Sequence, residues 1–365
     1  MERTRGRQTG IAMVFVLMLV VVASVLGMSY LSVTTVSLAG SANLVRAGRA
    51  RYLAESGLQH ALYLLRTDSP LLAGHDEGDP LGPFYADSSD DSYVFYAEPL
   101  EPLTYRVTAK ATSRGLTRTS RLTVRLFSTY RNDIESYGPI AYWRMGELAG
   151  PLAEDSAGGF DGTYRNGVVL GQPGAICGDL DPAARFDGQN DYVDLGTMDL
   201  GGSLLTIIAW FKADAFLIPD VRIVSKADAL DGNRHYWMIS TVGVVGGAKR
   251  LRFRLKAGGV TSTLVADAGD LELDKWTMVA ATYDGTWMRL YKDGENVGQM
   301  IKFGSIVEDD DIPVWMGNNP PVDTSRPFDG LIDEVAIYRR CASEKEIRSV
   351  YKARVASARI LSWDK

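Results

Sequence analysis

The chain has 365 residues with 39 basic and 45 acidic side chains, which gives a formal net charge of −6 at pH 7. This length exceeds one compact core and indicates two or three folded units. The acidic excess falls in residues 137–352, with 31 acidic against 22 basic side chains. Since nucleic acid requires clustered Lys and Arg, we expect no nucleic-acid partner, and the acidity favours divalent cations instead.

An uncharged apolar segment stands near the amino end. Residues 11–31 read IAMVFVLMLVVVASVLGMSYL, and at about 1.5 Å per residue they span a bilayer core of about 30 Å. The run is too long for the apolar region of a secretory signal peptide. Arg3, Arg5 and Arg7 precede it and favour an amino end in the cytoplasm. We therefore predict one membrane-spanning helix, with the rest of the chain outside the cytoplasm.

Residues 32–66 continue as an amphipathic helix. Apolar side chains recur near one face and polar side chains lie away from it. The apolar set is Ala54, Leu58, Leu62 and Leu65, and the polar set is Arg51, Glu55 and Gln59. A helix with this pattern prolongs the membrane span.

These first 66 residues carry a family resemblance. A basic leader that ends in glycine (RGRQTG), a membrane helix and the sequence AESGL resemble a type IV pilin or a minor pseudopilin of the PilX-like type. The resemblance implies that a peptidase removes residues 1–10 after Gly10 and leaves Ile11 as the new amino terminus. Phe15 stands where major pilins carry Glu, which argues against a major, filament-building subunit.

The same resemblance implies a location and partners. The chain would lie in the bacterial inner membrane, with its bulk in the periplasm or at the cell surface. Its partners would be other pilins or pseudopilins and a secretion or pilus assembly machine. The alternative is a plain signal anchor that carries a helical stalk.

Residues 67–127 predict a small α+β, pilin-like unit. Residues 68–91 are rich in Asp, Gly, Pro and Ser and indicate a loop. Alternating polar and apolar residues follow on each side of Ser113-Arg114-Gly115, a pattern typical of a β-hairpin. Packed against the amphipathic helix, these strands would complete the unit, and residues 128–136 would form a linker.

Residues 137–353 predict a large two-sheet β-sandwich or jelly roll. A dozen or more short β-rich runs, among them RLRFRLKA and WTMVAATYD, are separated by turn residues. One helix is expected at the end of this unit, in SEKEIRSVYKARV, and residues 354–365 are left as a tail. The whole chain is therefore predicted to be mainly β.

The large unit also carries a family resemblance. Asp155-Ser156-Ala157-Gly158 matches the D-S-S-G turn, and residues 328–338 read FDGLIDEVAIY and match the closing F-x-G-x-I-D-E-V-x-I-Y motif of laminin-G-like, concanavalin A-like jelly rolls. Where that family has Arg-Ala-Leu-Ser, this chain has Cys341 in the second position. The resemblance implies a fold shared by lectins and glycan-cleaving enzymes.

Two catalytic motifs were sought in the sequence, and neither occurs. The E-x-D-x-x-E strand of glucanases does not occur, and neither does the nucleophile motif G-x-S-x-G. Asp333 and Glu334 are adjacent, and a regular strand would turn them to opposite faces. We therefore expect that the chain is not an enzyme, with a tethered glycan-active enzyme as the alternative.

Calcium is the ligand that the acidic turns favour, because hard cations prefer carboxylate and carbonyl oxygens. Asp155 and Asp161 lie in DSAGGFDG. The resemblance implies that this turn meets the strand that holds Asp333, so that all three could bind Ca²⁺. The alternative is that Asp155 caps its turn, Asp161 is solvated and Asp333 joins a buried hydrogen-bond network.

A glycan would need exposed aromatic and polar side chains on one sheet or its loops. For each tryptophan, the alternative to a glycan-binding position is a position in the hydrophobic core. The candidate ligand-binding residues are Trp237, Trp287, Asp231, Asn233, Arg234, Asn318 and Asn319.

The only cysteines, Cys177 and Cys341, both follow the membrane segment. Outside the cytosol they can form one disulfide. Two unrelated buried thiols are the alternative.

Together these features predict a membrane-anchored, pilin-like or pseudopilin-like protein that displays a lectin-like unit for adhesion. Its ligand would be an extracellular glycan or protein. A signal-anchored structural stalk is the remaining alternative.

Overall fold

The computed structural model describes residues 9–86 and 90–364, and for residues 9–12 and 14 it describes the backbone only. The chain divides into two compact units. The first comprises Met1–Arg125 and Ile360–Lys365, and the second comprises Leu126–Arg359. Residues 1–8 of the expected leader lie outside the described residues. Gly10 and Ile11 lie in the first turns of a helix.

Helix α1 spans Thr9–Arg66, about 87 Å at the usual rise. The two helices expected at residues 11–31 and 32–66 are thus one continuous helix. Among the described residues it is the one helix that is long and apolar enough to cross a membrane. Its most apolar 18-residue window has a mean hydropathy of 2.3, and no residue of that window is buried. Large apolar side chains are exposed from Met13 to Val45, and burial begins at Ala50.

The carboxyl half of α1 packs on the sheet of the first unit. Gly57, in the AESGL motif, makes this approach possible, because a Cβ there would lie 3.0 Å from Ala109 Cβ and 3.0 Å from Tyr93 Cδ2. Strands β3 and β4 meet at the expected hairpin, where Arg114 (φ 45°) and Gly115 (φ 81°) both adopt positive φ, as a tight two-residue turn requires. The strands and the short 3-10 helix of this unit are the 3-10 helix Pro70–Leu72, β1 Leu81–Tyr85, β2 Asp91–Glu101, β3 Thr104–Ser113 and β4 Leu116–Phe127.

The carboxyl end of the chain adds a fifth strand to this sheet. Residues expected as a tail form β21, Ser357–Asp364, and the sheet order is β1-β2-β3-β4-β21. The strand sequence SARILSWD has β-branched and aromatic residues that suit an edge position. Residues 354–365 contain no second β-rich segment with which this strand could form a hairpin. Its partner, β4, lies far away in the chain, so the pairing could not be recognised from the sequence.

The segment expected as a linker contains helix α2, Tyr130–Ser136. Tyr130 and Ile134 lie one helical turn apart and are both fully buried. The indole Nε1 of Trp210 donates to the hydroxyl of Tyr130 at 2.9 Å. The segment is therefore a packed part of the second unit.

The second unit is a sandwich of two eight-stranded antiparallel sheets that share one hydrophobic core. The first, here the covered sheet, has the order β18-β17-β16-β11-β20-β9-β8, with β5 paired to β20. Its strands are β5 Ala141–Trp143, β8 Val169–Gln172, β9 Ala183–Asp187, β11 Leu205–Ala215, β16 Thr277–Tyr283, β17 Trp287–Lys292, β18 Glu295–Ile301 and β20 Asp329–Tyr338.

The other sheet, here the second sheet, has the order β15-β14-β13-β12-β19-β10-β7-β6. A 3-10 helix, Gly232–Arg234, precedes β13. The strands are β6 Leu152–Ala153, β7 Gly162–Arg165, β10 Tyr192–Thr197, β12 Arg222–Ala227, β13 His235–Gly243, β14 Lys249–Ala257, β15 Val260–Val265 and β19 Pro313–Met316.

Two helices close the outer face of the covered sheet. Helix α3, Glu344–Lys352, starts at a capping box made by Ser343 and Glu346. Its Ile347 and Val350 pack with Tyr130 and Ile134 of α2 against that face. The outer face of the covered sheet is thus shielded by the two helices. The predicted class is confirmed: the protein is mainly β, with a long amino-terminal helix and a jelly-roll sandwich.

Candidate functional site

Three carboxylates lie together where β20 passes the loop before β9. One oxygen from each of Asp181, Asp333 and Glu334 lies within 4.8 Å of the others. Asp333 and Glu334 are both about 1% exposed. The expectation that they face opposite sides is wrong because β20 contains a bulge: Ile208 pairs with Ala336, whereas Trp210 pairs with Asp333. Glu334 takes a positive φ of 52° there, and bulges of this kind re-aim side chains next to sites.

One arginine partly neutralises this cluster. Arg144 Nη2 lies 3.3 Å from Glu334 Oε1, 2.9 Å from Asp179 Oδ2 and 3.4 Å from Asp181 Oδ2. The hydroxyl of Tyr142 donates to Glu334. Burial nevertheless raises the pKa of Glu334 to about 7 and that of Asp181 to about 6. Burial, with the charge of Glu334, also raises the pKa of Asp333 well above its usual range.

Two oxygens of the cluster accept no hydrogen bond, although one of them, Asp181 Oδ2, lies 3.4 Å from Arg144 Nη2. Asp333 Oδ2 accepts from the backbone N–H of Ala175 at 2.7 Å, but Asp333 Oδ1 and Asp181 Oδ2 are buried without a hydrogen-bond partner. Buried acceptors of this kind carry a desolvation penalty that a partner would offset. Both are carboxylate oxygens beside a third carboxylate, so the three groups could share a proton or hold a hard divalent cation.

Asp155 and Asp161, expected to share a cation with Asp333, instead shape their own turn. Asp155 Oδ1 accepts from the N–H groups of Tyr142 (2.7 Å) and Ala157 (3.0 Å), and its Oδ2 accepts from Phe160 (3.0 Å). Asp161 Oδ1 accepts from the N–H of Asp155 at 2.9 Å. Neither aspartate belongs to the cluster of Asp181, Asp333 and Glu334. The cluster contains Asp181 and Glu334 in their place.

A cavity of about 330 Å³ adjoins Arg144 and Asp181. Glu147 lies on its wall, and its Oε2 accepts from the hydroxyl of Tyr164 at 2.6 Å. A Cβ at Gly146 would displace the carboxylate of Asp181 from its present position. The other lining residues are Arg131, Glu154 and Ser156.

The residues predicted to bind a glycan occupy different environments. Trp237 is 1% exposed and belongs to the core, whereas Trp287 is partly buried with the guanidinium of Arg289 5.8 Å from its ring. Asp231 caps the 3-10 helix by accepting from the N–H of Asn233 at 2.8 Å. Arg234 forms a two-pronged ion pair with Asp228, at 2.8 and 2.6 Å.

Asn318 and Asn319 are fully buried and hold a loop against the second sheet. Asn319 Oδ1 accepts from Arg222 Nε at 2.9 Å and from Ser225 Oγ at 3.1 Å. Asn318 Oδ1 accepts from the N–H of Arg326 at 3.1 Å. These two residues therefore position their neighbours and present little surface of their own.

The sequence reasoning missed a polar network on the outer face of the second sheet. Asp220 lies within 3.3 Å of Arg222, 2.7 Å of Arg252 and 2.5 Å of Arg326. The signal was present in β14, whose sequence KRLRFRLKA alternates basic and apolar residues.

His235 is buried inside this network. Its Nδ1 lies 2.8 Å from the carbonyl oxygen of Asp231 and 3.3 Å from Arg254 Nη1. Its Nε2 lies 3.0 Å from Asn319 Oδ1 and 3.3 Å from Arg222 Nη2. Each ring nitrogen thus faces both an acceptor oxygen and a guanidinium donor. Burial, together with the charges of Arg222 and Arg254, lowers the pKa of His235 to about 4.

The two cysteines, both within the described part of the chain, are not joined to each other. The N–H of Cys177 donates to the carbonyl of Arg354, just beyond the end of α3, at 3.0 Å. Cys341 precedes Ser343, the N-cap of the same helix. The nine residues of α3 separate these ends by about 14 Å, whereas a disulfide needs Cα atoms within about 7 Å. The structure therefore differs from the expected pairing.

Residues 187–348 match the family model described as the concanavalin A-like lectin/glucanases superfamily. The match lies within the second unit and covers the greater part of it. No curated protein sequence matches this one.

Solved structures with a similar fold include domain 4 of an extracellular arabinanase from Geobacillus stearothermophilus in complex with arabinotriose. It is 18% identical, with a TM-score of 0.43, and the match covers 58% of this chain and 98% of that domain. The ligand-binding domain of botulinum neurotoxin serotype D, with N-acetylneuraminic acid, is 15% identical, with a TM-score of 0.43, covering 60% of this chain and 52% of that one. A Trypanosoma rangeli sialidase is 13% identical, with a TM-score of 0.42, covering 73% and 45%.

The expectation that the chain is not an enzyme is wrong as stated. The class described by the matching family model unites lectins with glucanases. The missing E-x-D-x-x-E motif excludes one arrangement of acids and leaves the others open.

Proposed function

We propose that this chain is a membrane-anchored surface protein that displays its lectin-like unit for glycan recognition. The observation that carries the proposal is the combination in one chain of a helix able to span a membrane with a segment of the concanavalin A-like class. The helix supplies the anchor and the sandwich supplies the recognition surface.

The outer face of the second sheet is the surface best suited to a ligand. The corresponding face of the covered sheet is occupied by Tyr130 and Ile134 of α2 and by Ile347 and Val350 of α3. On the second sheet, Arg254, Thr261 and Thr263 remain partly or fully exposed. Polar side chains on a sheet face can bind the hydroxyl groups of a sugar.

The anchor proposal includes assembly with other pilin-like subunits in a bacterial inner membrane. A bilayer core takes about 20 residues of helix, but the exposed apolar side chains of α1 continue through Val33, Val36, Leu38, Leu44 and Val45. An apolar stripe of this length requires cover beyond the lipid. Neighbouring apolar helices of the same kind would provide it.

We also propose that the cluster of Asp181, Asp333 and Glu334 binds Ca²⁺. Asp333 Oδ1 and Asp181 Oδ2 would be the first ligands, because neither accepts a hydrogen bond from the described residues. A bound cation would supply positive charge that Arg144 alone does not provide. Its role would be to fix the bulge of β20 against the loop that carries Asp181.

The proposed recognition is tested with full-length protein in detergent on a panel of immobilised glycans. We expect binding to a defined subset, and loss of it when Thr263→Trp blocks the outer face of the second sheet. The matched control is Gln299→Trp, at an exposed position of β18 in the covered sheet. Because the class includes glucanases, the same panel is assayed for released reducing ends. Natively folded protein that binds none of the glycans would contradict the proposal.

A further inference from the structure

The outer face of β14 carries a row of basic side chains. Leu251, Phe253 and Leu255 point into the core, so the alternate positions Arg250, Arg252, Arg254 and Lys256 share the opposite face. This row stands on a segment that is acidic overall, with 31 acidic and 22 basic residues between 137 and 352. The clustering of positive charge is therefore local and specific to this face.

Neighbouring elements add two more guanidinium groups. Arg222 of β12 pairs with Ser240, which pairs with Arg252, so the three side chains lie side by side. Arg326 reaches the same place from the loop held by Asn318. Arg252 and Arg326 both lie close enough to Arg254 to lower its pKa, although burial is the main cause.

The acids near these arginines do not balance them. Asp220 is shared by Arg222, Arg252 and Arg326, at 2.5 to 3.3 Å. Asp231 is the other acid whose charge reaches Arg254, and its carboxylate already caps the 3-10 helix. Four guanidinium groups thus face two carboxylates, which leaves two positive charges in excess.

Arg254 and Arg326 are the members of this group that face outward. Arg254 is half-buried, and its Nε donates to Thr263 Oγ1 at 3.2 Å. The side chain of Arg326 is 33% exposed, against 7% for Arg252 and 1% for Arg222. Gly232 lies beside the guanidinium of Arg254, where a Cβ would be 3.9 Å from Nη2. The exposed side chains of Thr263 and Asn233 complete the rim.

We propose that Arg254 and Arg326, here the arginine face, bind the carboxylate or sulfate group of an acidic saccharide. This inference rests on the proposed glycan recognition and names its ligand class. A guanidinium matches two oxygens of such a group with two parallel hydrogen bonds. The hydroxyl groups of Thr261 and Thr263 and the amide of Asn233 suit the neighbouring sugar hydroxyls. The acidic surroundings would repel a long polyanion such as nucleic acid.

The test uses the full-length protein in detergent, with trigalacturonate and its methyl ester as probes. The two ligands carry the same sugars, but the ester has no charge. We expect the acid to bind at least tenfold more tightly than the ester, with affinity that falls as NaCl is added. Arg254→Gln and Arg326→Gln should each weaken binding of the acid at least tenfold, because the amide keeps much of the side chain and removes the charge.

The matched control is Arg250→Gln, which lies on the same strand and face but is held by Asp270 at 2.7 Å. It should change affinity less than twofold, and melting curves of all variants should confirm folding. If acid and ester bind equally, or if both face variants bind normally, the inference fails and glycan recognition stands. If no saccharide on the panel binds, both fail. Binding of a thymidine hexanucleotide as tight as that of the acid would make the site a general polyanion site and overturn the assignment.

Discussion

At the scale of single residues, His235 links the pH of the medium to the stability of the second unit. In the unfolded chain its pKa is near 6.5, and in the folded protein burial and two arginines lower the pKa to about 4. Between these values the unfolded state binds the proton and the folded state does not. The free energy of unfolding must therefore fall as the pH drops from 6.5 to 4, by up to about 3 kcal/mol.

This pH dependence is measured by urea unfolding between pH 4 and 7, for the wild type and for His235→Asn. The asparagine can still donate to the carbonyl of Asp231 but does not titrate. Other groups titrate in both proteins, so the difference between the two curves isolates His235. Parallel curves across this range would show that the ring is protonated equally in both states.

Asp333 is the residue on which the calcium proposal depends. Calcium at a hundredfold excess over its Kd should raise the free energy of unfolding by about 2.7 kcal/mol, and chelation should lower the melting temperature accordingly. Asp333→Asn should remove this response, because the amide keeps the shape but cannot ionise to bind the cation.

The matched control for calcium is Asp155→Asn. Asp155 is bonded to three backbone N–H groups, so its loss should lower stability while the response to calcium remains. A melting temperature that added calcium leaves unchanged, in protein shown to be free of tightly held metal, would leave Asp333 as a hydrogen-bonding residue only.

At the scale of elements, the contact between α1 and its sheet depends on one missing side chain. A Cβ at Gly57 would already lie 3.0 Å from Ala109 Cβ and from the ring of Tyr93. Gly57→Leu should therefore push the helix from the sheet and destabilise the first unit by about 1–3 kcal/mol.

The consequence of Gly57→Leu is measured as faster proteolysis within residues 67–125. Gly48→Leu is the control, since it lies in the same helix with no atom within 4 Å of its Cβ position. That substitution should be neutral or slightly stabilising, because Leu favours helix over Gly. Equal proteolysis of the two variants would contradict the role given to Gly57.

The elements that the sequence predicted are those with a long or repeated local pattern. Helix α1 follows from its apolar run, and the strands follow from alternation such as that of β14. Helix α2 was missed because only Tyr130 and Ile134 mark it, and their burial depends on Trp210, which is far away in the chain. The cluster of Asp181 with Asp333 and Glu334 was also missed, because its members are far apart in the chain. The neighbouring residues give no sign of the bulge at Glu334.

The arginine face was readable only in part. The run RLRFRLKA predicted a strand, and its alternation carries the signal for basic side chains on one face, which was not drawn from it. That Arg222 and Arg326 join them could not be predicted, because it depends on strand order and on a loop held by buried asparagines. Trp237 shows the opposite case. Its aromatic side chain suggested a ligand platform, but its position in β13 directs the side chain into the core.

At the scale of the whole molecule, the amino terminus decides between a pilin-like protein and a plain anchor. If the leader is processed, mass spectrometry of protein extracted from membranes should find Ile11 as the first residue. The expression host needs an active prepilin peptidase, and Gly10→Val should block the cut. An intact Met1 in the unmodified protein would favour the signal anchor.

The order of the strands in the first unit has a consequence for the attachment of the second. The chain leaves the first unit after Arg125 and returns at Ile360, and the strands on either side of this excursion, β4 and β21, are neighbours in one sheet. The sandwich is thus an insertion between two adjacent strands, joined to the first unit by two covalent connections. A protease that severed one connection would leave the other still holding the two units in one molecule.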